Sequence, residues 1–462
     1  MTGRDNFERF IRRHPHPHAY AVARPHATRR DFFRVLGAGL TGSFLARRLR
    51  SSEAIWQGDV VTRNTAKNVI FISLAGAPSH VDTFDLKVTP NVTPTSLAPE
   101  TINGILWPAG LMPKLGQQLG DMAIVRSVRS WALQHELGQA WTQIGRSPAS
   151  ALGDYSPNIG SVVALEKEGE RRAGQVFPTF LALNAAGAIG SGYLSSLFAP
   201  MKLDVADSGI PDTTNPDGVA RLDSRLELLT ALDGVNRTNS PYGKAMEDYE
   251  GFYKAARGLC YNPAVDQAFR FTAAESAAYG SSGFGNACLV AGRVINADQG
   301  TRFVLINFGG WDDHQNIYAD NSLPARARQL DNGLSMLLAD LKNSGRLGET
   351  LVVTMGEFGR TPAGLTAQAG RDHYLQQFVM FAGGGVKGGK TIGATDDTGS
   401  ATSEFGWSRE RDVRMEDVEA TVHSALGINW TTIRYDDPLG RGYEYTPFAR
   451  DDVYGPIEEL WA

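Results

Sequence analysis

Cysteine is nearly absent from this chain of 462 residues, and Cys260 and Cys288 allow at most one bridge, which excludes a disulfide scaffold. The two also lack the paired spacing of a zinc ribbon. No uncharged apolar run reaches the ~18 residues that an ordinary membrane-spanning helix needs, so no stable membrane span is expected. There is no Gly-x-Ser-x-Gly elbow, and neither cysteine has a histidine beside it, which argues against serine-hydrolase and cysteine-protease chemistry. No internal repeat occurs. Basic excess is missing from the body: the formal net charge is −5, residues 1–50 hold eleven arginines against three acids (+8), and the remainder therefore carries −5 − 8 = −13. An acidic body excludes nucleic acid as an expected partner. What is present, 42% hydrophobic and 21% charged residues, is the balance of a chain that buries a sizeable core.

The first fifty residues read as an address. Thr28-Arg29-Arg30-Asp31-Phe32-Phe33-Arg34 sets two adjacent arginines before an aromatic pair, and an apolar run follows from Val35 to Ala46. The pattern resembles a twin-arginine export signal, which makes the twin-arginine translocase an expected partner and places the protein outside the cytoplasm, periplasmic or extracellular. The alternation His14-Pro15-His16-Pro17-His18 reads as linker. Residues 1–55 are therefore set aside as leader and linker, and residues 56–462 are taken as one α/β domain.

Within that domain, continuous apolar segments at Asn68–Leu74, Met122–Val125, Phe303–Phe308, Thr350–Met355 and Phe378–Phe381 read as buried strands. Leu330, Leu334, Leu337, Leu338 and Leu341 recur on one helical face, stopped by Gly345. Further helices are expected over 221–232, 244–259 and 263–279. The fold class is a mostly parallel central sheet flanked by helices, with a helical excursion between about 200 and 300.

Ligands of open α/β sheets bind beyond the carboxyl ends of the strands, and the ionisable residues gather there. After the first strand come His80, Asp82 and Asp85; after the third, Asp312, Asp313 and His314; after the fourth, Glu357 and Arg360, then Arg371-Asp372-His373. His135-Glu136 lie ten residues beyond Val125. Any one of these alone reads as a capping carboxylate or a hydrogen-bonded loop histidine. Taken together, imidazole and carboxylate at strand ends suit a divalent metal. A decoy stands at Gly384-Gly385-Val386-Lys387-Gly388-Gly389-Lys390-Thr391, which satisfies the phosphate-loop spacing. A phosphate cradle needs a helix starting at the lysine, and the sequence after Thr391 has no helical apolar period, so a turn and loop are expected there.

These residues resemble the DUF1501 proteins, of the alkaline-phosphatase and sulfatase-like superfamily, over about Asn68 to Tyr445. The markers are His80-Val81-Asp82-Thr83-Phe84-Asp85, Gly310-Trp311-Asp312-Asp313-His314, Gly356-Glu357-Phe358-Gly359-Arg360-Thr361-Pro362, Gly370-Arg371-Asp372-His373 and Ala382-Gly383-Gly384-Gly385-Val386-Lys387-Gly388-Gly389. The resemblance implies an alkaline-phosphatase-like fold and a hydrolase of phosphate or sulfate esters, acting on a small-molecule or glycan ester. It implies one or two divalent ions (zinc, manganese, iron or calcium), with His80 and Asp82 on one and Asp312 and His314 on the other. Glu357 stands in the place of an Asp-His pair, His373 as the distal histidine, and Arg360 beside a bound oxyanion. The chain departs from the pattern at the nucleophile: Ile144-Gly145-Arg146-Ser147-Pro148 matches the end of the relevant helix, but the position nine residues before Gly145 is Glu136. Direct attack by water with His135 or Glu136 as base is then one expectation. A non-catalytic pseudoenzyme, serving as an envelope binding or assembly protein, is the alternative.

Overall fold

The computed structural model describes residues 55–237 and 244–462. The expected leader and the histidine alternation at 14–18 lie outside the described residues. The central sheet has eight strands: β1 (Asn68–Ser73), β2 (Met122–Arg129), β3 (Phe180–Leu183), β4 (Met201–Leu203), β5 (Phe303–Asn307), β6 (Thr350–Met355), β7 (Gln376–Gly383) and β8 (Lys390–Ile392). Their order across the sheet is β8-β2-β7-β6-β1-β5-β3-β4. Only β7 runs antiparallel to its neighbours β2 and β6; every other pairing is parallel. The mostly parallel sheet read from the sequence is therefore what forms. The short strands β3, β4 and β8 escaped that reading, because three or four residues, with a lysine in two of the three strands, carry too little pattern to separate strand from helix.

Side chains alternate across a strand, and here both faces are covered. Ile70 and Ile72 of β1 face one way, with Leu181, Val304, Ile306 and Val352, against helices α5 (Gly283–Ala297) and α6 (Leu323–Asn343). Val69 and Phe71 face the other way, with Phe180, Leu305 and Val353, against α2 (Ile159–Lys167) and α7 (Met415–Ala425). That double burial is why the strands read as continuous apolar runs rather than alternating ones.

Between β4 and β5 lie the expected helices, α3 (Val219–Arg237) and α4 (Lys244–Leu259). The single helix expected over 263–279 is instead two, Pro263–Phe269 and Ala273–Ala278. The break comes at Thr272, which caps the second piece: its Oγ1 accepts from Glu275 N at 3.3 Å, and the Glu275 carboxylate accepts from Thr272 N at 2.7 Å. After the glycine-rich loop, Lys390 opens β8 rather than a helix, and its Nζ donates to the carbonyls of Glu459 (2.6 Å) and Ala462 (3.0 Å). The phosphate-loop spacing thus lacks the helix that would make it a cradle. Cys260 and Cys288 are free thiols, and His423 is buried in α7 against Tyr445.

Candidate metal centre

Strand direction brings distant residues to one edge of the sheet. His135 opens α1 (His135–Ile144) beyond the carboxyl end of β2; Asp312 and His314 follow β5; Glu357 and Arg360 follow β6. His373 precedes β7, but β7 runs the opposite way, so its amino end lies with the carboxyl ends of the rest. Two local devices set the spacing. Gly359-Arg360 pairs antiparallel with His373-Tyr374, so Arg360 stands directly across from His373. The segment ending at Gly370 zips onto 315–317, and a Cβ on Gly370 would lie 2.0 Å from the backbone of His314, an approach only glycine allows.

His135, Asp312, His314 and His373 offer one ligand atom each, all within 4.8 Å of one another. Asp312 Oδ1 lies 3.2 Å from His135 Nε2, 2.9 Å from His314 Nε2 and 3.7 Å from His373 Nε2. His314 Nε2 and His373 Nε2 are 3.0 Å apart. Tetrahedral ligands at about 2.0–2.2 Å from an ion are separated by about 3.3–3.6 Å, a range that the separations in this set bracket, so shifts of some tenths of an ångström would let it hold a small divalent ion.

Every imidazole presents Nε2 to this point because its Nδ1 is engaged elsewhere. His135 Nδ1 contacts Glu357 Oε1 at 2.6 Å, His314 Nδ1 contacts Asp372 Oδ1 at 2.9 Å, and His373 Nδ1 contacts the Leu133 carbonyl at 2.6 Å. Carboxylates and carbonyls only accept, so each Nδ1 carries the hydrogen, and in the neutral ring each Nε2 keeps a lone pair. Two imidazole nitrogens 3.0 Å apart call for a proton on one of them or a cation between them. Glu357, expected as a ligand, thus stands one bond behind His135, where Gly76 N (2.9 Å) and Gln139 Nε2 (3.1 Å) also donate to its Oε1.

Electrostatics follow from these contacts. The Glu357 hydrogen bond raises the His135 pKa against the pull of partial burial, with the charges of Glu357 and Asp312 adding to it. Burial lowers that of His373, with Arg360, His135 and His314 acting in the same direction. Desolvation works to raise the Asp312 pKa, but the Arg360 hydrogen bond and charge, with His135 and His314, hold it below the usual carboxylate value.

Arg360 is almost fully buried, its side chain 1% exposed, and four of its five N–H groups are committed to oxygen acceptors while the fifth faces His314 Nε2. Nε donates to Ala77 O (2.9 Å); Nη1 to His314 Nε2 (3.3 Å) and Arg371 O (3.2 Å); Nη2 to Asp312 Oδ1 (2.5 Å) and Gly76 O. The expected fork on an oxyanion would need two donors, and only the N–H facing His314 Nε2 is released when that lone pair turns to an ion, so Arg360 contributes chiefly fixed charge. Glu136, expected as a base, is exposed in the first turn of α1 and outside the set.

His80 and Asp82, expected as ligands, are not brought to this set. Both are fully buried; His80 Nε2 contacts Gly399 O at 2.9 Å, and Asp82 pairs with Arg371 at 2.7 Å. Sequence reasoning passed over the roles of Asp372 and the Leu133 carbonyl. Asp372 had a signal, since it adjoins His373, whereas nothing in a sequence marks a backbone carbonyl as a histidine partner.

The family model described as "Protein of unknown function (DUF1501)" matches residues 66–453. No curated protein matches the chain. Among solved structures, the PsFucS1 sulfatase from Pseudoalteromonas sp. is 14% identical with a TM-score of 0.36, the match covering 79% of this chain and 68% of that one. The lipoteichoic acid synthase LtaP from Listeria monocytogenes is 11% identical with a TM-score of 0.39, covering 85% and 79% respectively. The alkaline phosphatase from the Antarctic bacterium TAB5 is 14% identical with a TM-score of 0.32, covering 70% and 92%.

Proposed function

This chain belongs to the DUF1501 family, and from that premise we propose that it is an exported, metal-dependent hydrolase of a phosphate or sulfate ester, acting outside the cytoplasm on a small-molecule or glycan substrate. One observation carries the reading: three Nε2 lone pairs and Asp312 Oδ1 converge on one point, each ring held from behind by an acceptor. Such outer partners are how metal-binding imidazoles are oriented and made more basic. A divalent ion bound there would polarise an ester oxygen and lower the pKa of a bound water.

The chain's own residues supply the rest. Asp312 and His314 are 45% and 40% exposed, which leaves the centre open to an incoming ester. Glu357, Asp372 and the Leu133 carbonyl hold the rings in register. Arg360 adds a fixed positive charge beside Asp312. No helix among the described residues is long and apolar enough to cross a membrane, which suits a substrate met in solution or at a surface.

The test is hydrolysis of an aryl phosphate and an aryl sulfate by the full chain loaded in turn with zinc, manganese, iron(II) or calcium. Turnover that His314→Ala abolishes, with the melting temperature held within a few degrees, is expected. A second reading has its own observation: the position that the resemblance gives to a nucleophile is the exposed carboxylate Glu136. On that reading the centre binds without turning over. Failure of hydrolysis with every ion, in protein that nonetheless retains metal, would favour the binding role.

A further inference from the structure

We propose that this centre holds a single ion per chain, and that arginine side chains occupy the places where a second ion would be bound. The inference rests on the metal reading above and narrows to one the one or two ions that the resemblance implies. His80 and Asp82 would serve the second ion, but Asp82 has no acceptor site left for it and His80 alone keeps one buried, unpartnered Nδ1.

Asp82 is completely buried and its two oxygens are filled. Oδ2 accepts from Ser79 Oγ at 2.6 Å and Arg371 Nε at 2.7 Å; Oδ1 accepts from Tyr318 Oη at 2.8 Å and Arg371 Nη2 at 3.3 Å. A carboxylate offers about four acceptor sites, so these donors saturate it, and the guanidinium fork cancels its charge. Arg371 is itself held by Thr361 O at 2.7 Å and Tyr318 Oη at 3.2 Å, so the pair forms a fixed buried strut. His80 turns Nε2 toward Gly399 O, while its Nδ1 lies buried beside Gly359 without a hydrogen-bond partner, a single lone pair that cannot hold an ion once Asp82 is taken.

The other side of the centre is closed in the same way. A second ion sharing Asp312 would have to displace Arg360, whose Nη2 lies 2.5 Å from Asp312 Oδ1 and whose Nη1 lies 3.3 Å from His314 Nε2. Arg360 is anchored by the carbonyls of Gly76, Ala77 and Arg371, and pulling it out would strand three buried acceptors. Charge points the same way. Asp312, Glu357 and Asp372 are balanced by Arg360 and one divalent ion with the imidazoles neutral, whereas a second divalent ion would leave an uncompensated double positive charge in a partly buried site. Arginine in these places supplies a cation that neither exchanges nor depends on metal supply.

The test counts zinc per chain by elemental analysis in full-length protein that has been stripped, reloaded with excess zinc and freed of unbound ion. The wild type is compared with His314→Ala and with Asp82→Asn, so that ions held elsewhere, for instance on His14, His16 and His18, cancel in the differences. One ion lost in His314→Ala and none lost in Asp82→Asn is the expected result. A further ion that Asp82→Asn removes from the wild-type count would overturn the single-ion proposal while leaving the metal centre standing. No ion lost in His314→Ala would defeat the metal reading itself, and this inference with it. Asp82→Asn leaves a buried guanidinium unpaired, so Asp82→Leu/Arg371→Met, which removes both charges, provides the same count if the single variant does not fold.

Discussion

Glu357 reaches the centre only through His135. Its Oε1 gathers three N–H donors, from Gly76, His135 and Gln139, while the main-chain carbonyl of the same residue accepts from Ser130 Oγ at 2.8 Å. The carboxylate therefore fixes the ring orientation and tautomer of His135, and its negative charge makes Nε2 a better donor to a metal. Glu357→Gln keeps the shape and removes the charge. We expect it to weaken zinc binding about 10–100-fold, read by competition with a chromogenic chelator, with the ion count at saturation unchanged. Unaltered affinity would mean that Glu357 is a packing partner only. Arg360 and Arg371 show a different use of charge: each is buried with its donors shared among backbone carbonyls, one carboxylate and one ring side chain, His314 or Tyr318. They lock loops in place before any ligand arrives.

At the scale of elements, the position of His135 depends on α1, and α1 depends on α7. Gly138, Trp141 and Thr142 form the inner face of α1, which ends at Gly145 in the left-handed conformation (φ +63°). A side chain there would collide with Glu419 of α7, whose carboxylate lies 2.1–2.5 Å from the position of an added Cβ. Glu416 of α7 takes Trp141 Nε1 on one oxygen (3.1 Å) and Trp131 Nε1 on the other (3.2 Å), joining α7 to α1 and to the loop that enters it. Burial, with the charge of Asp417, pushes the Glu416 pKa from 4.5 up to about 7, while the indole hydrogen bonds oppose the rise. The folded chain thus keeps a proton that the unfolded chain has lost between those values. The resulting stabilisation is full below the unfolded pKa and disappears as pH rises through the folded one. Glu416→Gln removes this dependence. Its melting temperature relative to wild type should therefore climb from about pH 5 to about pH 8, followed by thermal denaturation across that range; a flat difference would show that Glu416 does not titrate on folding.

For the whole molecule, the proposal of export rests on Arg29 and Arg30, outside the described residues. Replacing both with lysine should retain the full chain in the cytoplasm, measured by fractionation; undiminished export would remove the translocase from the account. Much of the architecture was legible in the sequence. The buried strands that build the sheet centre, the leucine face of α6 and the placement of acids and histidines at strand ends all follow from apolar pattern within short windows. The division of one expected helix at Thr272 was not legible, because a capping box of two side chains outweighs continuous helical periodicity. Nor was the antiparallel course of β7, which puts His373 beside the others although it precedes its strand. By itself the sequence determined the family, the sheet with both faces covered and the residue types available for a metal, since each is written locally. Only the tertiary structure decided which of those residues meet. His135, Asp312, His314 and His373 converge within 4.8 Å from three distant segments of the chain, and Asp82 is claimed by an arginine 289 positions away. Ligation depends on lone pairs left free at ångström range, a property of neighbours in space rather than of neighbours in the chain.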